Sequence, residues 1–258
     1  MNKALLVISF GTSHKETRET TIGAIEKDLQ DAFRDRQFFH AYTSRHILKK
    51  LYSNEGIEID DPEEALQRIA AEGIKNVLIQ STLMTGGAEY EKIRFQALKY
   101  RDRFETLLFG EPVLSGEEDI HLLAAALEKI FENTDQEDLI AFMGHGGEAL
   151  VSNPYVLLDE CFRKDGCPNF CVGTAEAGPG FEPVLERVKG RSPRKVILTP
   201  LMIAAGEHAL KDLTGSGSSW EYRLKREGYE TRTILKGLGE YPEFRNILVQ
   251  HAKRAVEL

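Results

Sequence analysis

The sequence predicts an α/β fold with two pseudo-symmetric halves, each a doubly wound, parallel, four-stranded sheet with helices on both faces. Short apolar runs rich in β-branched residues alternate with amphipathic stretches along the whole chain, as expected of buried parallel strands separated by helices. Two stretches, 75–89 and 194–208, also align without a gap. Each has the form of a strand, a tight turn and a helix start. With 258 residues, the chain is long enough for two small domains of this kind.

The predicted elements follow from this alternation, taken in chain order. Each strand is a continuous apolar run that ends in small or polar residues, and the strands lie at 4–10, 37–43, 76–82, 105–109, 139–143, 169–174, 195–200 and 230–235. The amphipathic stretches predict helices near 15–33, 45–53, 62–72, 88–102, 117–132, 149–164, 181–189, 208–226 and 241–256. Asp61 and Pro62 mark a helix start, because a capping carboxylate precedes a proline in the first turn. Gly56, Gly73 and Gly228 stand where helices should end.

The polar stretch 133–138 separates the two halves and predicts domains at 1–134 and 135–258. A barrel of eight β/α units is the alternative for a chain of this length. The halves correspond strand for strand, apart from an extra helix and loop at 45–61 in the first half, and this repeat favours two domains. Because ligands of doubly wound sheets bind beyond the carboxyl ends of the strands, we expect one active-site cleft between the halves.

Two histidines follow predicted strand ends in the second half. His145 lies between glycines, which let the backbone turn sharply and leave the imidazole exposed. His208 follows a run of small residues at a predicted helix start. The repeat aligns Glu89 with His208 and Thr12 with His145, so the first half has no histidine at either position. Each histidine could instead cap a helix through a hydrogen bond, but their shared setting favours a composite site.

Two imidazoles and a carboxylate suit a divalent first-row metal such as Co²⁺, Ni²⁺, Fe²⁺ or Zn²⁺. Glu176 follows a neighbouring strand end of the same half and is the candidate carboxylate; the alternative is an acid that stabilises a helix N-terminus. Glu89 is expected across the cleft, and Glu207 is expected to be a surface or capping acid. Imidazoles have an ordinary pKa of about 6.5, so they can also accept protons near neutral pH. Five other histidines lack this setting: His14, His40, His46, His121 and His251. Of these, His121 and His251 are predicted to be ordinary surface or boundary residues.

Composition and the remaining motifs argue against several other classes of function. The net charge of −8 does not support nucleic-acid binding, and no apolar run approaches the ~18 residues of a membrane span. Nucleotide-binding glycine motifs and the nucleophile elbow of serine hydrolases are absent. The three cysteines lack the spacing of a zinc ribbon or a redox pair and are expected to be reduced thiols. A strand at the start of the chain leaves no room for a signal peptide, so we expect a cytoplasmic protein.

Several segments together resemble the class II tetrapyrrole chelatases, and among these the anaerobic cobaltochelatases of cobalamin biosynthesis. The resemblance covers nearly the whole chain and is carried by residues 3–13, 87–93, 142–146, 201–208 and 237–240. It implies the chelatase fold and an enzyme of the lyase class that inserts Co²⁺ into sirohydrochlorin without ATP, with loss of two protons. It also implies metal ligands at His145, Glu176 and His208, with His145, His208 and Glu89 in catalysis.

The resemblance implies no cofactor beyond the substrate metal. The expected partners are sirohydrochlorin and divalent cobalt, without nucleic acid or membrane, and a homo-oligomer is one option for the assembly. Arg45, Lys92 and Lys211 follow strand-end turns and are candidate cations for the substrate's carboxylates, although each also suits a solvated helix. Three rival functions stay open: a chelatase for Fe²⁺ or Ni²⁺ in a related tetrapyrrole, a non-enzymatic metal or haem carrier, and a two-lobed protein that binds a small ligand.

Overall fold

The computed structural model describes residues 2–146 and 153–258, and at Glu207 and His208 it describes the backbone only. The strands are β1 (Lys3–Ser9), β2 (Gln37–Tyr42), β3 (Asn76–Ser81), β4 (Thr106–Gly110), β5 (Leu139–Gly144), β6 (Phe170–Thr174), β7 (Val196–Leu201), β8 (Thr231–Thr233) and β9 (Val256–Glu257). The helices are α1 (Lys15–Thr17), α2 (Gly23–Ala32), α3 (Arg45–Glu55), α4 (Pro62–Ala71), α5 (Ala88–Leu98), α6 (Glu117–Ile130), α7 (Pro154–Lys164), α8 (Glu182–Arg191), α9 (Glu207–Thr214), α10 (Trp220–Arg226) and α11 (Pro242–Lys253). A π-helical turn (Arg18–Ile22) joins α1 to α2, and short 3-10 turns lie at Arg101–Arg103 and Leu238–Glu240.

The strands form two sheets with the same order of connections. One sheet has the order β2-β1-β3-β4-β9 and the other β6-β5-β7-β8. Strands β1 to β4 pair in parallel, as do β5 to β8, so the two sheets repeat one winding. These observations confirm the predicted α/β fold with two parallel, pseudo-symmetric sheets.

Burial explains why the central strands read as continuous apolar runs. Every residue of β1 from Ala4 to Ser9 is buried, and so is every residue of β5 and β7. A strand that is buried along its whole length has both faces covered, as in sheets wound by helices on two sides. Side chains of the size of Leu6 or Leu198, both fully buried, each contribute about 1.5–3 kcal/mol to folding.

The chain divides into two compact units whose limits differ from the predicted halves. One unit comprises residues 1–115 and 244–258, and the other comprises residues 116–243. Helix α6 belongs with the second unit because Phe131, directly after it, packs its ring 5.5 Å from that of Phe142 on β5. The last helix returns to the first unit, where Arg245 Nε lies 2.6 Å from Asp28 Oδ2. The sequence boundary at 134/135 missed both features because each depends on tertiary contacts.

Three helix predictions differ from the structure in their limits or continuity. The stretch 208–226 is two helices, because the glycine- and serine-rich turn after α9 ends it and Ser219 caps α10 through Tyr222 N. The stretch 241–256 ends at Lys253, and the chain then forms β9, which pairs antiparallel with β4. The start of the predicted helix 149–164 lies partly outside the described residues, and α7 begins at Pro154.

In the described part of the chain, no helix combines the length and apolarity needed to cross a membrane.

Candidate metal centre

His145 and Glu176 lie side by side at the carboxyl edge of the second sheet. His145 directly follows β5, and the backbone pairing of β5 with β6 continues beyond both strands: Ala175 N donates to Gly144 O and Glu176 N donates to His145 O, each at 2.9 Å. The side chains meet as well, with His145 Nδ1 3.8 Å from Glu176 Oε2. Two such ligands of one tetrahedral ion stand about 3.4 Å apart, so a small adjustment would let both bind one metal.

The two glycines that flank His145 are needed for different structural reasons. Gly146 has a φ of 86°, and a Cβ at this position would lie 2.4 Å from Ala177 O. Only glycine fits both the left-handed backbone and this close approach to the loop that carries Glu176. Gly144 lies against the buried ring of Tyr155, where a Cβ would come within 2.4 Å of the ring. Burial raises the pKa of Tyr155 to about 12, so its phenol stays protonated as part of the support for His145.

Both side chains are open to solvent. The side chain of His145 is 52% exposed and that of Glu176 is 60% exposed. Behind Glu176, the buried Thr174 accepts a hydrogen bond through its hydroxyl from Gly180 N at 3.2 Å, which closes the loop after β6. The side chains of His145 and Glu176 are therefore exposed, while hydrogen bonds fix the backbone that carries them. In such an arrangement a metal ion can reach the side chains and leave again.

His208 is the second residue of α9, and its side chain lies outside the described residues. The backbone that leads to it follows β7 and ends in Gly206, the N-cap of the helix. Gly237 packs against this loop so closely that a Cβ there would lie 2.4 Å from Ile203 O. Leu238 N and Gly239 N donate to Met202 O and Ile203 O at 2.8 and 3.0 Å. The segment 237–240, which the resemblance also includes, thus supports the loop before His208.

Glu89 has the same place in the first unit as His208 has in the second. Each is the second residue of its helix, and the N-cap glycines have nearly the same conformation: φ −79°, ψ −168° at Gly87 and φ −83°, ψ −168° at Gly206. This agrees with the alignment of 75–89 on 194–208. Lys92 Nζ lies 3.6 Å from Glu89 Oε1, so this candidate cation already has an acidic neighbour. The cleft in which Glu89 would meet the histidines stays a prediction.

The sheet register corrects one alignment made from the sequence. Ile8 pairs with Ser81 on β3, and Met143 pairs with Pro200 at the aligned position of β7. The structural equivalent of His145 is therefore Phe10, two positions before the predicted Thr12. In both units the next residue is a glycine with a positive φ: the φ of Gly11 is 95° and that of Gly146 is 86°. Thr12 is buried, whereas Phe10 is 54% exposed.

The same register gives Glu176 an equivalent, Ser44, which the sequence analysis missed. Thr43 N donates to Ser9 O at 2.9 Å and Ser44 N to Phe10 O at 3.3 Å, repeating the pattern beyond β5 and β6. The Ser44 hydroxyl accepts from Ile47 N and caps α3. The strand pairing was needed to establish these equivalences, because Gly11 can be aligned in sequence with either of the glycines that flank His145.

The structure also gives the environments of His251, the three cysteines and Trp220. His251 was predicted at the surface or its boundary, and this was wrong: it is fully buried, with Nδ1 3.1 Å from Glu111 O. A buried imidazole needs such a polar partner, and the helical pattern alone could not reveal it. The three cysteines are free thiols. Trp220 is buried and packs 5.4 Å from the Phe181 ring, so it belongs to the core of the second unit.

The protein thus has two parallel α/β units, and the second presents an imidazole and a carboxylate, exposed to solvent, at the carboxyl edge of its sheet. A family model described as cobalt chelatase (CbiK) matches residues 3–257. The chain belongs to this family of metal chelatases, enzymes that take a metal ion as substrate.

Two relatives agree with this assignment, and a solved structure has a similar fold. A sirohydrochlorin cobaltochelatase of Salmonella typhimurium is 38% identical over 259 residues, which cover 100% of this chain and 98% of the relative. The sirohydrochlorin cobaltochelatase CbiKC of Nitratidesulfovibrio vulgaris is 27% identical over 258 residues, covering 98% of this chain and 90% of the relative. The structure of SirB from Bacillus subtilis with Fe³⁺ has a TM-score of 0.66 at 12% identity, covering 98% of this chain and 95% of SirB. At that identity the likeness concerns the fold alone.

Proposed function

We propose that this protein inserts Co²⁺ into sirohydrochlorin, without ATP and with loss of two protons, as a step of cobalamin biosynthesis in the cytoplasm. The observation that carries the proposal is the full-length similarity, at 38% identity, to a protein that bears the name sirohydrochlorin cobaltochelatase. The 3.8 Å approach of His145 Nδ1 to Glu176 Oε2 supports it, since these are ligands that Co²⁺ accepts. Three free thiols fit a reducing compartment.

In this proposal His145, Glu176 and His208 bind Co²⁺, with at least one coordination position open. Open positions distinguish a site that transfers its metal from a structural site, which is closed by protein ligands. The exposure of His145 and Glu176 supports this choice, because water or a ring nitrogen of the substrate can reach a metal bound there. Cobalt is the substrate metal here, so release to the macrocycle is part of the reaction.

Metal insertion also requires bases, since two pyrrole N–H groups lose their protons as the ring nitrogens replace the protein ligands. An imidazole that releases the metal becomes free to accept a proton, so His145 or His208 can act in both roles in turn. We assign Glu89 an assisting role in proton removal or in orienting the macrocycle. Its half-buried carboxylate, 3.6 Å from Lys92 Nζ, supports this role because a carboxylate can accept a proton.

The direct test is anaerobic incubation of the purified protein with sirohydrochlorin and one metal at a time, Co²⁺, Fe²⁺ or Ni²⁺, followed by absorbance. We expect the spectrum of the metallated ring to form fastest with Co²⁺ and without ATP. Faster insertion of Fe²⁺ or Ni²⁺ would instead identify a chelatase for that metal. Metal binding with no acceleration of metallation would identify a carrier.

A crystal soaked in Co²⁺ tests the ligands. We expect an ion bound by His145, Glu176 and His208 together with water. An ion bound by the cysteines, with none at His145, would refute the assignment.

A further inference from the structure

A second group of metal-ligating side chains lies in the second unit, away from the carboxyl edge. His121 is on the second turn of α6, Cys161 is on the last turns of α7, and Asp165 is the C-cap of α7. Cys161 Sγ lies 3.3 Å from His121 Nδ1 and 3.0 Å from Asp165 Oδ2, and His121 Nδ1 lies 3.4 Å from Asp165 Oδ2. Helix α7 follows β5 and leads into the parallel strand β6, so its end lies toward the amino edge of the sheet.

We propose that His121, Cys161 and Asp165 form a second divalent-metal site, of the type that prefers Zn²⁺, with water in the fourth position. Nitrogen, thiolate sulfur and carboxylate oxygen are the three ligand types that Zn²⁺ takes in proteins. The set is softer than two imidazoles and a carboxylate, because it contains a thiolate, and so it favours Zn²⁺ as a resident ion.

The distances suit this ion. Around a tetrahedral Zn²⁺, with Zn–S near 2.3 Å and Zn–N and Zn–O near 2.1 Å, pairs of ligand atoms stand about 3.4–3.6 Å apart. The three separations in the structure are 3.0, 3.3 and 3.4 Å, so the ligand atoms need to spread by at most about 0.6 Å. They already form one face of the coordination tetrahedron, and rotation of exposed side chains can open it.

Burial and charge also favour a cation. Cys161 is buried, whereas the side chains of His121 and Asp165 are 54% and 40% exposed, so two of the three proposed ligands face solvent. The end of α7 carries the negative end of the helix dipole. Cys167 follows the helix through Gly166, which has a φ of 82°, and its thiol is hydrogen-bonded to Glu128, so it is not counted among the proposed ligands.

A thiol, an imidazole and a carboxylate can also suggest a catalytic nucleophile, and the acidity of Cys161 argues against that function. Burial, together with the carboxylates of Asp165 and Glu128, raises the pKa of Cys161 to about 12. A nucleophilic cysteine needs a lowered pKa, so the raised pKa of Cys161 argues against a nucleophile. A bound cation reverses the effect, because a coordinating thiol is deprotonated outright.

Co²⁺ serves as the probe, because a cobalt–thiolate bond gives a charge-transfer absorption in the near ultraviolet that His and Glu ligands do not. The full-length protein is stripped with a chelator and titrated with Co²⁺. We expect the absorption in the wild type and in His145→Ala, and its loss in Cys161→Ser. Zn²⁺ should displace Co²⁺ and abolish it. Persistence of the absorption in Cys161→Ser, or its absence from the wild type, would overturn the proposal.

Because Cys161 is buried, a second variant guards against misfolding. His121→Ala removes an exposed ligand. It should lower the affinity for Co²⁺, measured from the thiolate absorption, by at least about 10-fold. His46→Ala, which removes an exposed histidine from α3, is the matched control and should leave the titration unchanged. Equal titrations of the two variants would refute the site. Sirohydrochlorin metallation by His121→Ala should equal that of the wild type, so this proposal can fail without affecting the proposed activity.

Discussion

At the carboxyl edges of the two sheets, one backbone arrangement carries two different sets of side chains. The second unit presents His145 and Glu176 at positions where the first presents Phe10 and Ser44, and the hydrogen bonds that hold each pair are the same. A glycine with positive φ follows both Phe10 and His145. The backbone arrangement that holds the proposed metal ligands beyond the strands is thus present in both units.

The difference lies in what the side chains can bind. Phe10 offers an exposed ring with no donor atom, and the hydroxyl of Ser44 is used to cap α3. The first unit keeps a carboxylate, Glu89, at the helix position that carries His208 in the second. In the proposed function, metal affinity therefore depends on side-chain identity at equivalent positions, and Glu89 is the residue of the first unit to which we assign an assisting role.

The largest expected effect comes from removing a ligand that exists in the second unit only. His145→Ala should lower the rate of cobalt insertion by at least about 100-fold, because the proposed site loses a ligand and one of its two candidate bases. Its thermal unfolding should be unchanged, since the side chain is half exposed. Phe10→Ala, at the equivalent position, is the control and should chiefly raise KM for the tetrapyrrole. Near-normal turnover of His145→Ala, measured by absorbance, would contradict its central role.

The glycine found at the same position in both units allows the packing around the two loops to be compared through its effect on stability. Gly146→Ala and Gly11→Ala both place a side chain on a left-handed backbone, which costs about 1–3 kcal/mol. The added Cβ would meet the Ala177 carbonyl oxygen in the second unit and the Tyr42 ring, at 2.6 Å, in the first. A backbone carbonyl group can shift less than an aromatic side chain. We therefore expect denaturant unfolding to show a greater loss of the free energy of unfolding for Gly146→Ala than for Gly11→Ala. Equal stability of Gly146→Ala and the wild type would show that the loop carrying Glu176 moves freely.

The aligned helix positions can be compared through Glu89→Gln. The amide keeps the shape of the carboxylate but cannot accept a proton, so insertion should slow by roughly 10-fold. Cobalt affinity, measured by titration, should stay within a few fold, because Glu89 is expected to assist without being a principal ligand. An equally large loss of affinity in Glu89→Gln and His208→Ala would make Glu89 a direct ligand. Unchanged turnover would leave it as an acid that stabilises the start of α5.

The smallest expected effect concerns a polar pair that only the first sheet has. His40 on β2 lies 3.1 Å from Glu26, and its register equivalent on β6 is Val172. The hydrogen bond to Glu26 raises the pKa of His40, although burial opposes it. A raised pKa stabilises the fold below the unfolded pKa of about 6.5, and this contribution is lost as pH rises through the folded value.

Solvent screens this pair, so the contribution should stay below about 1 kcal/mol. Denaturant unfolding of the wild type and His40→Val between about pH 5 and pH 8 measures it as a difference that shrinks with rising pH. A difference that is constant across that range would mean that the pair does not matter for stability.

Much of the fold was predictable because buried parallel strands leave a strong local pattern. Strands β1 to β8 lie within a few residues of the apolar runs that predicted them. Strand β9 was missed because a two-residue strand has no periodicity, and α11 was extended through it. Of the proposed site, His145 and Glu176 were predicted to be neighbours, and the structure brings them together.

The sequence did not reveal the register between strands or the contacts between segments that are distant along the chain. The order of polar, apolar and glycine residues along the chain was enough to indicate two α/β units and a candidate ligand set at strand ends. Whether Phe10 or Thr12 matches His145 was decided by strand pairing, because sliding one strand by a residue changes every partner while leaving the local sequence the same. His121 and Cys161 came together only through the packing of α6 on α7. Contacts of this kind depend on the angle and spacing of whole elements, which are set by the cores and are not written in any one segment.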